Sequence, residues 1–288
     1  MIAVTGATGQ LGSRTAVRLA IEGARQRLVV RDPGQAPDLV GAEVAVAGGY
    51  SDAAGMRAAL TGVGTLFLVS GREQADRVAE HVAAIDAAVD AGVERIVYVS
   101  FLGAAPDATF TLGRQHFATE EHLRGAGVRW TILRDNFYHA MFPRLVGADG
   151  VIRGPAGDGA VTSVAHDDIA DVATAVLLDE RAGAHDGEAY DVTGPEPVSM
   201  ADAAAALSRA TGREISYVPE AVEEAYASRA HYGAPAFEVA GWVTSYTSIG
   251  TGELAVVSPT VPRLTGRPAQ TFAAWLEANP RDWAHLRR

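Results

Sequence analysis

The chain begins Met1-Ile2-Ala3-Val4-Thr5-Gly6-Ala7-Thr8-Gly9-Gln10-Leu11-Gly12, and this stretch decides the fold. A short apolar run is typical of a buried parallel strand, and a helical pattern follows the last glycine. Gly6 allows a tight turn off the strand, Gly9 lets the backbone approach a pyrophosphate, and Gly12 lets the helix pack closely. The amides at the helix N-terminus would then face negative charge. The stretch therefore predicts a dinucleotide-binding strand–turn–helix unit.

The bulk composition is that of an ordinary soluble globular enzyme. The chain has 288 residues, of which 48% are hydrophobic and 20% charged. A net charge of −11 argues against nucleic acid or an anionic membrane as a partner. The sequence contains no cysteine, which excludes disulfides and thiol catalysis and fits a cytoplasmic protein. We expect no secretory leader and no membrane-spanning segment.

The basic residues are all arginine, 24 in number, and the chain has no lysine. A genome rich in G and C explains this preference at surface positions, but it would not remove a catalytic lysine. Any mechanism that needs a lysine is therefore excluded, including one built on a Tyr-x-x-x-Lys pair. Tyr98, which lies inside an apolar strand pattern, offers no such pair.

Short apolar runs alternate with amphipathic stretches along the first half of the chain. We predict strands at 2–4, 28–30, 43–46, 65–70, 96–100 and 130–134, and helices at 13–23, 53–60, 74–91 and 112–124. Such alternation predicts an α/β protein with a Rossmann-type, doubly wound parallel sheet that carries helices on both faces.

Beyond Tyr138 the pattern is looser. We predict a loop or hairpin at 147–159, a short strand at 161–164, a helix that starts at His166-Asp167-Asp168, a seventh strand at 190–193, and a helix capped by Ser199. The nucleotide-binding domain is expected to span 1–155, with 161–195 returning to it. Residues 196–288 would form a smaller C-terminal substrate lobe over the cleft.

Residues at the tip of the second strand bear on the choice of cofactor. Arg31 occupies this tip, where an arginine accommodates the 2′-phosphate of NADP(H). The adjacent Asp32 argues for the 2′-hydroxyl of NAD(H). We therefore expect NADP(H) to be preferred, with NAD(H) possible. Asp52 is a candidate for the adenine pocket, but a helix N-cap is the favoured interpretation.

With these segments placed, the chain resembles the NmrA-like group of atypical short-chain dehydrogenases, and most of all its type 2 NAD(P)H:quinone oxidoreductase branch. The glycine motif is shared by many enzymes, whereas the ordered set over nearly the whole chain is specific to this group. The matching pieces are Thr5 to Gly12, Val30 to Pro33, Tyr98 to Ser100, His116 to Glu120, Thr131 to Asn136, Asp168 to Val172, and Leu264 to Pro268.

The resemblance implies a cleft for NADP(H). The cofactor-binding residues implied or predicted on this chain are Gly6, Ala7, Thr8, Gly9, Gln10, Leu11, Arg31, Val69, Ser70, Gly71, Ser100, Asn136, Phe137 and Tyr138. Gly49 departs from the family, because many relatives have an acidic residue near the adenine. A homodimer is a further possibility.

A missing lysine limits the chemistry. Reduction of an isolated ketone leaves a strongly basic alkoxide that needs a positioned proton donor. A quinone gives instead a delocalised hydroquinone anion that can take its proton from water, so its site needs mainly proximity in a flat apolar slot. Candidates for that slot are Phe101, Phe137, Tyr138, Phe142, Trp242 and Tyr246, although each is also typical of a core.

His116, at the start of a helix, is the main acid–base candidate, because imidazole titrates near neutral pH. A capping or exposed histidine fits the same position. Tyr138 and His139 are second choices. The eight histidines form no ligand cluster, so we expect no metal site.

Three functions remain open. The first is an NADPH-dependent reductase of quinones or related conjugated aromatic compounds. The second is a tailoring oxidoreductase or monooxygenase of a polycyclic aromatic natural product. The third is a regulatory protein that binds NADP(H) without turnover, as the likeness to NmrA implies.

Overall fold

The molecule is built on one seven-stranded parallel sheet with helices on both faces. A computed structural model describes residues 1–179, 181 and 183–287, and predictions that touch residues 180, 182 and 288 lie outside the described residues. The strands run across the sheet in the order Ala42–Val46, Gln26–Val30, Ile2–Thr5, Thr65–Leu68, Arg95–Phe101, Arg129–Asp135 and Glu188–Val192. Since the chain starts in the middle of the sheet and winds outward in both directions, the predicted doubly wound Rossmann-type fold is confirmed.

The elements of the described chain have the following bounds. The strands are β1 (Ile2–Thr5), β2 (Gln26–Val30), β3 (Ala42–Val46), β4 (Thr65–Leu68), β5 (Arg95–Phe101), β6 (Arg129–Asp135), β7 (Val151–Gly154), β8 (Ala160–Val161), β9 (Glu188–Val192), β10 (Val198–Ser199) and β11 (Ser216–Pro219). The α-helices are α1 (Gln10–Ile21), α2 (Ala53–Leu60), α3 (Arg77–Asp90), α4 (Thr111–Gly125), α5 (His166–Leu178), α6 (Met200–Thr211), α7 (Val222–Arg229), α8 (Ala236–Gly250), α9 (Thr260–Thr265) and α10 (Phe272–Ala278).

Alternation along each strand fills two separate cores. In β5, Val97 and Val99 face the layer formed by α1 and α5, whereas Ile96 and Tyr98 face the layer formed by α2, α3 and α4. Both faces are buried, which is why the strands read as continuous apolar runs instead of alternating ones. Because all seven strands run parallel, their carboxyl ends meet at one edge of the sheet, where ligands bind in such folds.

A third core belongs to the C-terminal part of the chain. It joins the helices α6, α8 and α10 to the aromatic side chains at the ends of β5 and β6. Two small sheets support it, because β7 pairs in parallel with β11 and β8 pairs with β10. The C-terminal residues thus pack against the carboxyl edge of the main sheet, while the exact domain boundaries stay predictions.

Most predicted elements are confirmed to within a few residues. The expected seventh strand is present as β9, which the structure pairs with β6, and Ser199 caps α6 through a reciprocal capping box with Asp202. One prediction is confirmed only in part, and one is wrong. The predicted loop or hairpin at 147–159 includes a local turn, across which Val146 makes an antiparallel bridge to Ile152. However, β7 itself pairs with β11, over 60 residues away in sequence, and local turn chemistry could not reveal that pairing. The 161–164 strand is only two residues long, and Val164 makes an isolated bridge to Tyr138.

Two glycines of the motif, Gly6 and Gly12, have the structural roles that the sequence predicts. Gly6 adopts a φ of +61°, which L side chains rarely adopt. A Cβ on Gly12 would overlap the backbone carbonyl of Gly6 and the carbonyl of Thr5. A Cβ on Gly9 would lie 3.2 Å from the oxygen of Gly6 and meet nothing else in the protein.

A Gly12→Ala substitution should destabilise the fold by about 3 kcal/mol, because backbone overlap cannot be relieved by a side-chain rotation. The measurement is urea unfolding followed by circular dichroism. Gly125→Ala is the matched control, since a Cβ there meets nothing and alanine favours a helix. Equal stability of the Gly12 variant and the wild type would contradict this account of the contact.

Candidate functional site

A cleft of about 440 Å³ opens at the carboxyl ends of β1, β2 and β4. It is bounded by the glycine motif on one side and by the segments that follow β3 and β4 on the other. The cleft is lined by nine of the residues predicted to bind the cofactor: Gly6, Thr8, Gly9, Gln10, Leu11, Arg31, Val69, Ser70 and Gly71. Ala7 is buried beneath the motif and does not line the cleft.

The N-terminus of α1 faces this cleft in a form that suits an anion. Gly9 is its N-cap, no side chain caps the helix, and its first turn contains no acidic residue. Gly9 is exposed and lines the cleft, so a side chain at this position would occupy the space of a ligand. The helix dipole and the amides of the first turn therefore fit a pyrophosphate.

Two arginines line the cleft beyond the pyrophosphate end. Arg31 and Arg72 are both exposed, and within the described chain neither makes an ion pair or a side-chain hydrogen bond. Asp32 uses its carboxylate locally, accepting from the amide of Gly34 at 2.9 Å and from Gln35 Nε2 at 3.1 Å. Asp32, the residue whose type favours NAD(H), is thus engaged locally and is not among the residues that line the cleft.

Asp52 caps α2, as expected, since its carboxylate accepts from the amide of Gly55 at 3.0 Å. It also accepts from the amide of Gly48 at 2.8 Å, which lowers the pKa of this carboxyl. Gly49 lines the cleft with a φ of +142°.

Tyr50, which the sequence analysis missed, forms the floor of the cleft. Its hydroxyl lies 2.8 Å from Thr5 Oγ and also contacts the carbonyl of Val69. The amide of Val69 in turn donates to Thr5 Oγ at 3.0 Å. Burial raises the pKa of Tyr50 to about 12, so the hydroxyl stays protonated and available as a donor. The signal in the sequence was an aromatic residue directly after the Gly48-Gly49 turn.

The loop after β4 is fixed by two further side chains that the sequence analysis missed. The amide of Gly71 donates to His81 Nε2 at 2.8 Å, and its carbonyl accepts from Arg77 Nε at 3.0 Å. Because Nε2 accepts, the proton of His81 is assigned to Nδ1, which lies 3.0 Å from Thr119 Oγ. Burial, assisted by the charge of Arg77, lowers the pKa of His81 to about 3, so this histidine is neutral.

His116 is almost fully buried, so it is neither the exposed nor the capping histidine that the sequence also allowed. Its Nδ1 lies 2.9 Å from the hydroxyl of Tyr98, which is itself completely buried. Burial lowers the pKa of His116 well below its usual value and raises that of Tyr98. Both groups are therefore neutral, and an acid–base role for His116 stays a prediction.

Tyr138 lies at the end of β6 in a small polar cluster. Its hydroxyl donates to Asp135 Oδ2 at 2.6 Å, and its ring stacks on His166 with centroids 4.1 Å apart. Burial raises the pKa of Asp135 to about 7, although the hydrogen bond from Tyr138 and the charge of Arg77 oppose this change. The pair thus holds a proton that titrates near neutral pH.

Three other predicted site residues have their polar atoms engaged inside the protein. Ser100 donates to Glu120 Oε1 at 2.6 Å. The amide of Asn136 donates to the carbonyls of Thr162 and Leu254, tying β6 to the C-terminal part. His139 contacts Ser163 Oγ through Nδ1 and the carbonyl of Gln270 through Nε2, which leaves it no free nitrogen for a substrate.

The aromatic slot predicted for the acceptor is divided. Phe137, Tyr138, Phe142 and Tyr246 line one small apolar cavity of about 20 Å³. Trp242 lies apart from them, at a cavity of about 140 Å³ whose other walls include Glu73, Phe237 and Glu238. Phe101 packs against Phe110 and Phe137 in an aromatic cluster, with ring centroids 5.1 and 5.2 Å away.

Other classes of site find little support in the residues that the structure describes. No group of three or more histidine, aspartate or glutamate side chains is arranged to hold a metal ion there. His166-Asp167-Asp168 begins α5, as the sequence predicts. Within the described residues, none of the helices has the length and apolar character needed to cross a bilayer.

Comparison with known proteins matches residues 6–180 to the NAD(P)H-binding family. This match covers more than half of the chain, including the glycine motif, β4 and the end of β6. The chain belongs to this family.

Three members of known activity are similar over nearly their whole length. An NAD(P)H azoreductase of Xenophilus azovorans is 35% identical, over 97% of this chain and 98% of its own. A (4-alkanoyl-5-oxo-2,5-dihydrofuran-3-yl)methyl phosphate reductase of Streptomyces griseus is 37% identical, over 96% of each. The structure of the Escherichia coli quinone oxidoreductase QOR2 with NADPH superimposes with a TM-score of 0.85 at 31% identity, covering 96% and 99% of the two chains.

The resemblance to quinone oxidoreductases that the sequence indicates is confirmed by Quinone oxidoreductase 2 of Escherichia coli, which is 32% identical over 95% of this chain and 96% of its own. The NmrA structures, at 17–18% identity, share the fold. Membership of the NAD(P)H-binding family agrees with the geometry of the cleft. The N-terminus of α1, the exposed Arg31 and Arg72, and Gly9, which has no side chain to fill the cleft, all suit a dinucleotide.

Replacing Asp135 with asparagine should raise stability at high pH. The folded chain keeps Asp135 protonated up to about pH 7, while the unfolded chain ionises it near pH 4, so its contribution to the free energy of unfolding falls between these values. Asparagine still accepts the Tyr138 hydrogen bond. Asp135→Asn should therefore match the wild type near pH 4 and exceed it at pH 8, by at most about 4 kcal/mol.

The measurement is urea unfolding across that pH range. Asp90→Asn, an exposed position at the end of α3, is the control and should change stability by less than about 0.5 kcal/mol. A constant difference between the Asp135 variant and the wild type at all pH values would contradict the predicted titration.

Proposed function

We propose that the chain is an NADPH-dependent oxidoreductase that reduces quinones or related conjugated aromatic compounds. The observation that carries the proposal is the combination of the dinucleotide cleft with an aromatic cluster at the ends of β5 and β6, on the same edge of the sheet. Relatives that reduce azo compounds and quinones, two classes of conjugated acceptor, support the same reading.

The residues of the chain bind and orient the cofactor. The amides at the start of α1 would hold the pyrophosphate, and Arg31 with Arg72 would hold the 2′-phosphate. His81 and Arg77 fix the Gly71 loop, which lines the cleft. When bound, NADPH supplies the hydride. The rings of Phe101, Phe110 and Phe137 exclude water from the acceptor side.

The absence of a lysine fits this class of acceptor. Tyr98 and His116 are buried against each other, and the hydroxyl of Tyr138 donates a hydrogen bond to Asp135 Oδ2. We propose that none of them protonates the acceptor during hydride transfer, and that the delocalised anion takes its proton from water afterwards. His116 acts in this proposal through the packing of the floor instead of through direct proton transfer.

A cytoplasmic location, consistent with the absence of cysteine, belongs to the proposal as well. The homodimer stays a prediction, to be checked by the sedimentation of the purified protein.

The test is anaerobic oxidation of NADPH with a panel of quinones, from benzoquinone to naphthacenequinones. Saturable turnover is expected, and Gly9→Val should abolish it because a side chain there fills the pyrophosphate site. Gly125→Val, on an open surface, is the control. Tight binding of NADPH with no oxidation by any acceptor would overturn the proposal. Repeating the assay in air then separates an oxygen-dependent tailoring enzyme from a regulatory protein.

Arg31→Ala should weaken NADPH selectively. Loss of a charge-assisted hydrogen bond costs roughly 1.5–3 kcal/mol, so the KM for NADPH should rise about 10- to 100-fold while the KM for NADH stays unchanged. Steady-state kinetics with both cofactors measures this, and Arg209→Ala, an exposed arginine on α6, is the control. An equal rise for both cofactors would show that Arg31 does not read the 2′-phosphate.

A further inference from the structure

The cavity at Trp242, here called the α8 cavity, lies beside the cofactor cleft and has a volume of about 140 Å³. Glu73 contributes to its wall from the loop after β4, between Arg72 and Gln74, which both line the cofactor cleft. The other walls come from the first turn of α4 and the first half of α8. The complete lining is Glu73, Leu112, Phe237, Glu238, Gly241 and Trp242.

Leu112 connects the α8 cavity to the aromatic cluster at the ends of β5 and β6. Its side chain is buried in the same core as Phe101, Phe110 and Phe137. A Cβ on Gly241 would lie 3.7 Å from the side chain of Leu112, so α8 closely approaches α4 at this point. The cavity therefore lies between the loop that borders the cofactor cleft and the rings proposed to cover the acceptor.

Two carboxylates line this cavity without a partner. Neither Glu73 nor Glu238 makes an ion pair or a side-chain hydrogen bond within the part of the chain that the structure describes. The protein around Glu73 withdraws its carboxyl in part from water, which raises its pKa; the charge of Arg77 opposes this change and that of Glu238 adds to it. Glu238 also suits the first turn of α8, but Glu73 lies outside any helix.

The remaining walls of the α8 cavity are apolar or aromatic. The ring of Trp242 meets that of Tyr232 edge to face, with centroids 5.8 Å apart, and Phe237 supplies another ring. Aromatic faces attract organic cations, whereas a hard metal ion such as Ca²⁺ takes about six or more oxygen ligands. The volume is about that of a cavity that takes up one benzene molecule. Carboxylates, rings and size together fit an ammonium group.

We propose that the α8 cavity binds the cationic group of the acceptor, so that the preferred substrates are conjugated aromatic acceptors that carry an ammonium group. The proposal rests on the proposed reductase function and names a substrate class for it. The ammonium group would lie against Glu73, Glu238 and the ring of Trp242. The conjugated part of the acceptor would extend from there toward the cofactor cleft. These three side chains position the acceptor and take no part in hydride transfer.

The first arm compares three 1,4-naphthoquinones whose common side chain ends in a trimethylammonium, a tert-butyl or a sulfonate group. In the wild type, kcat/KM for the ammonium compound should exceed that for the tert-butyl compound about tenfold, with the sulfonate lowest. Glu73→Gln and Glu238→Gln should each lower this preference about threefold, and the double variant should remove it. Trp242→Leu, which keeps both carboxylates, should lower it as well.

Glu223→Gln is the matched control. Glu223 lies in the first turn of α7, as Glu238 does in α8, but it is exposed and lines none of the cavities described above. This variant should keep the full preference for the ammonium compound. Equal kcat/KM for the three naphthoquinones in the wild type, or an unchanged preference in the double variant, would overturn the proposal.

The second arm measures binding without turnover, by calorimetric titration of benzyltrimethylammonium in the presence of NADP⁺. The wild type and Glu223→Gln should bind this cation, and the double variant should bind it about tenfold more weakly. If the double variant fails to fold, Gly241→Val, which narrows the cavity and keeps both carboxylates, should weaken binding instead. A change confined to the Kd for NADP⁺ would assign the carboxylates to the oxidised nicotinamide and overturn the proposal.

The two arms separate this proposal from the function on which it rests. A wild type that reduces no acceptor refutes the reductase, while the calorimetric titration still reports whether the α8 cavity binds an organic cation. A wild type that reduces all three naphthoquinones without preference refutes the cation site alone.

Discussion

The contact between Gly6 and Gly12 is the constraint on which the rest of the structure depends. The start of α1 lies so close to the end of β1 that a single Cβ would overlap the backbone. This approach brings the amides of the first helical turn to the edge where seven strands end. The buried strand–helix joint and the anion site at the helix N-terminus therefore both depend on the three glycines of the motif.

Next to that joint, hydrogen bonds from buried side chains hold the backbone of the loop after β4, which lines the cleft. Thr5 and Tyr50 hold the backbone of Val69, and His81 holds the next turn at Gly71. The side chains beneath the cleft are neutral because they are buried, not because they lack ionisable groups. Such a floor costs no reorganisation when a ligand binds.

The sequence was sufficient for the sheet, the cleft and most element bounds, because the glycine motif and the alternating apolar runs are local signals. It was insufficient where partners come from distant parts of the chain. The parallel pairing of β7 with β11 has no local signature. Likewise Asn136 and His139 follow β6 as expected, yet their side chains are engaged by Leu254 and Gln270, more than 100 residues away.

Tyr50, Arg77 and His81 were missed for a related reason. Arg77 and His81 share one face of α3 with the buried Ile85 and Ala88, so polar residues at core-facing positions were the available signal. The spacing of the apolar residues of α3 alone does not reveal that Arg77 and His81 are buried. Trp242, a further candidate for the acceptor slot, lies at a cavity separate from the one lined by Phe137, Phe142 and Tyr246, and its role stays a prediction.

We propose that this protein transfers hydride to an acceptor without a positioned proton donor. A single turnover of bound NADPH with a quinone tests this, comparing NADPH deuterated at the transferred position with ordinary NADPH, in water and in heavy water. We expect a primary isotope effect from the cofactor deuterium and no effect of heavy water on the same step. A solvent isotope effect as large as the primary one would contradict it, because proton transfer from a protein group would then be part of the transition state.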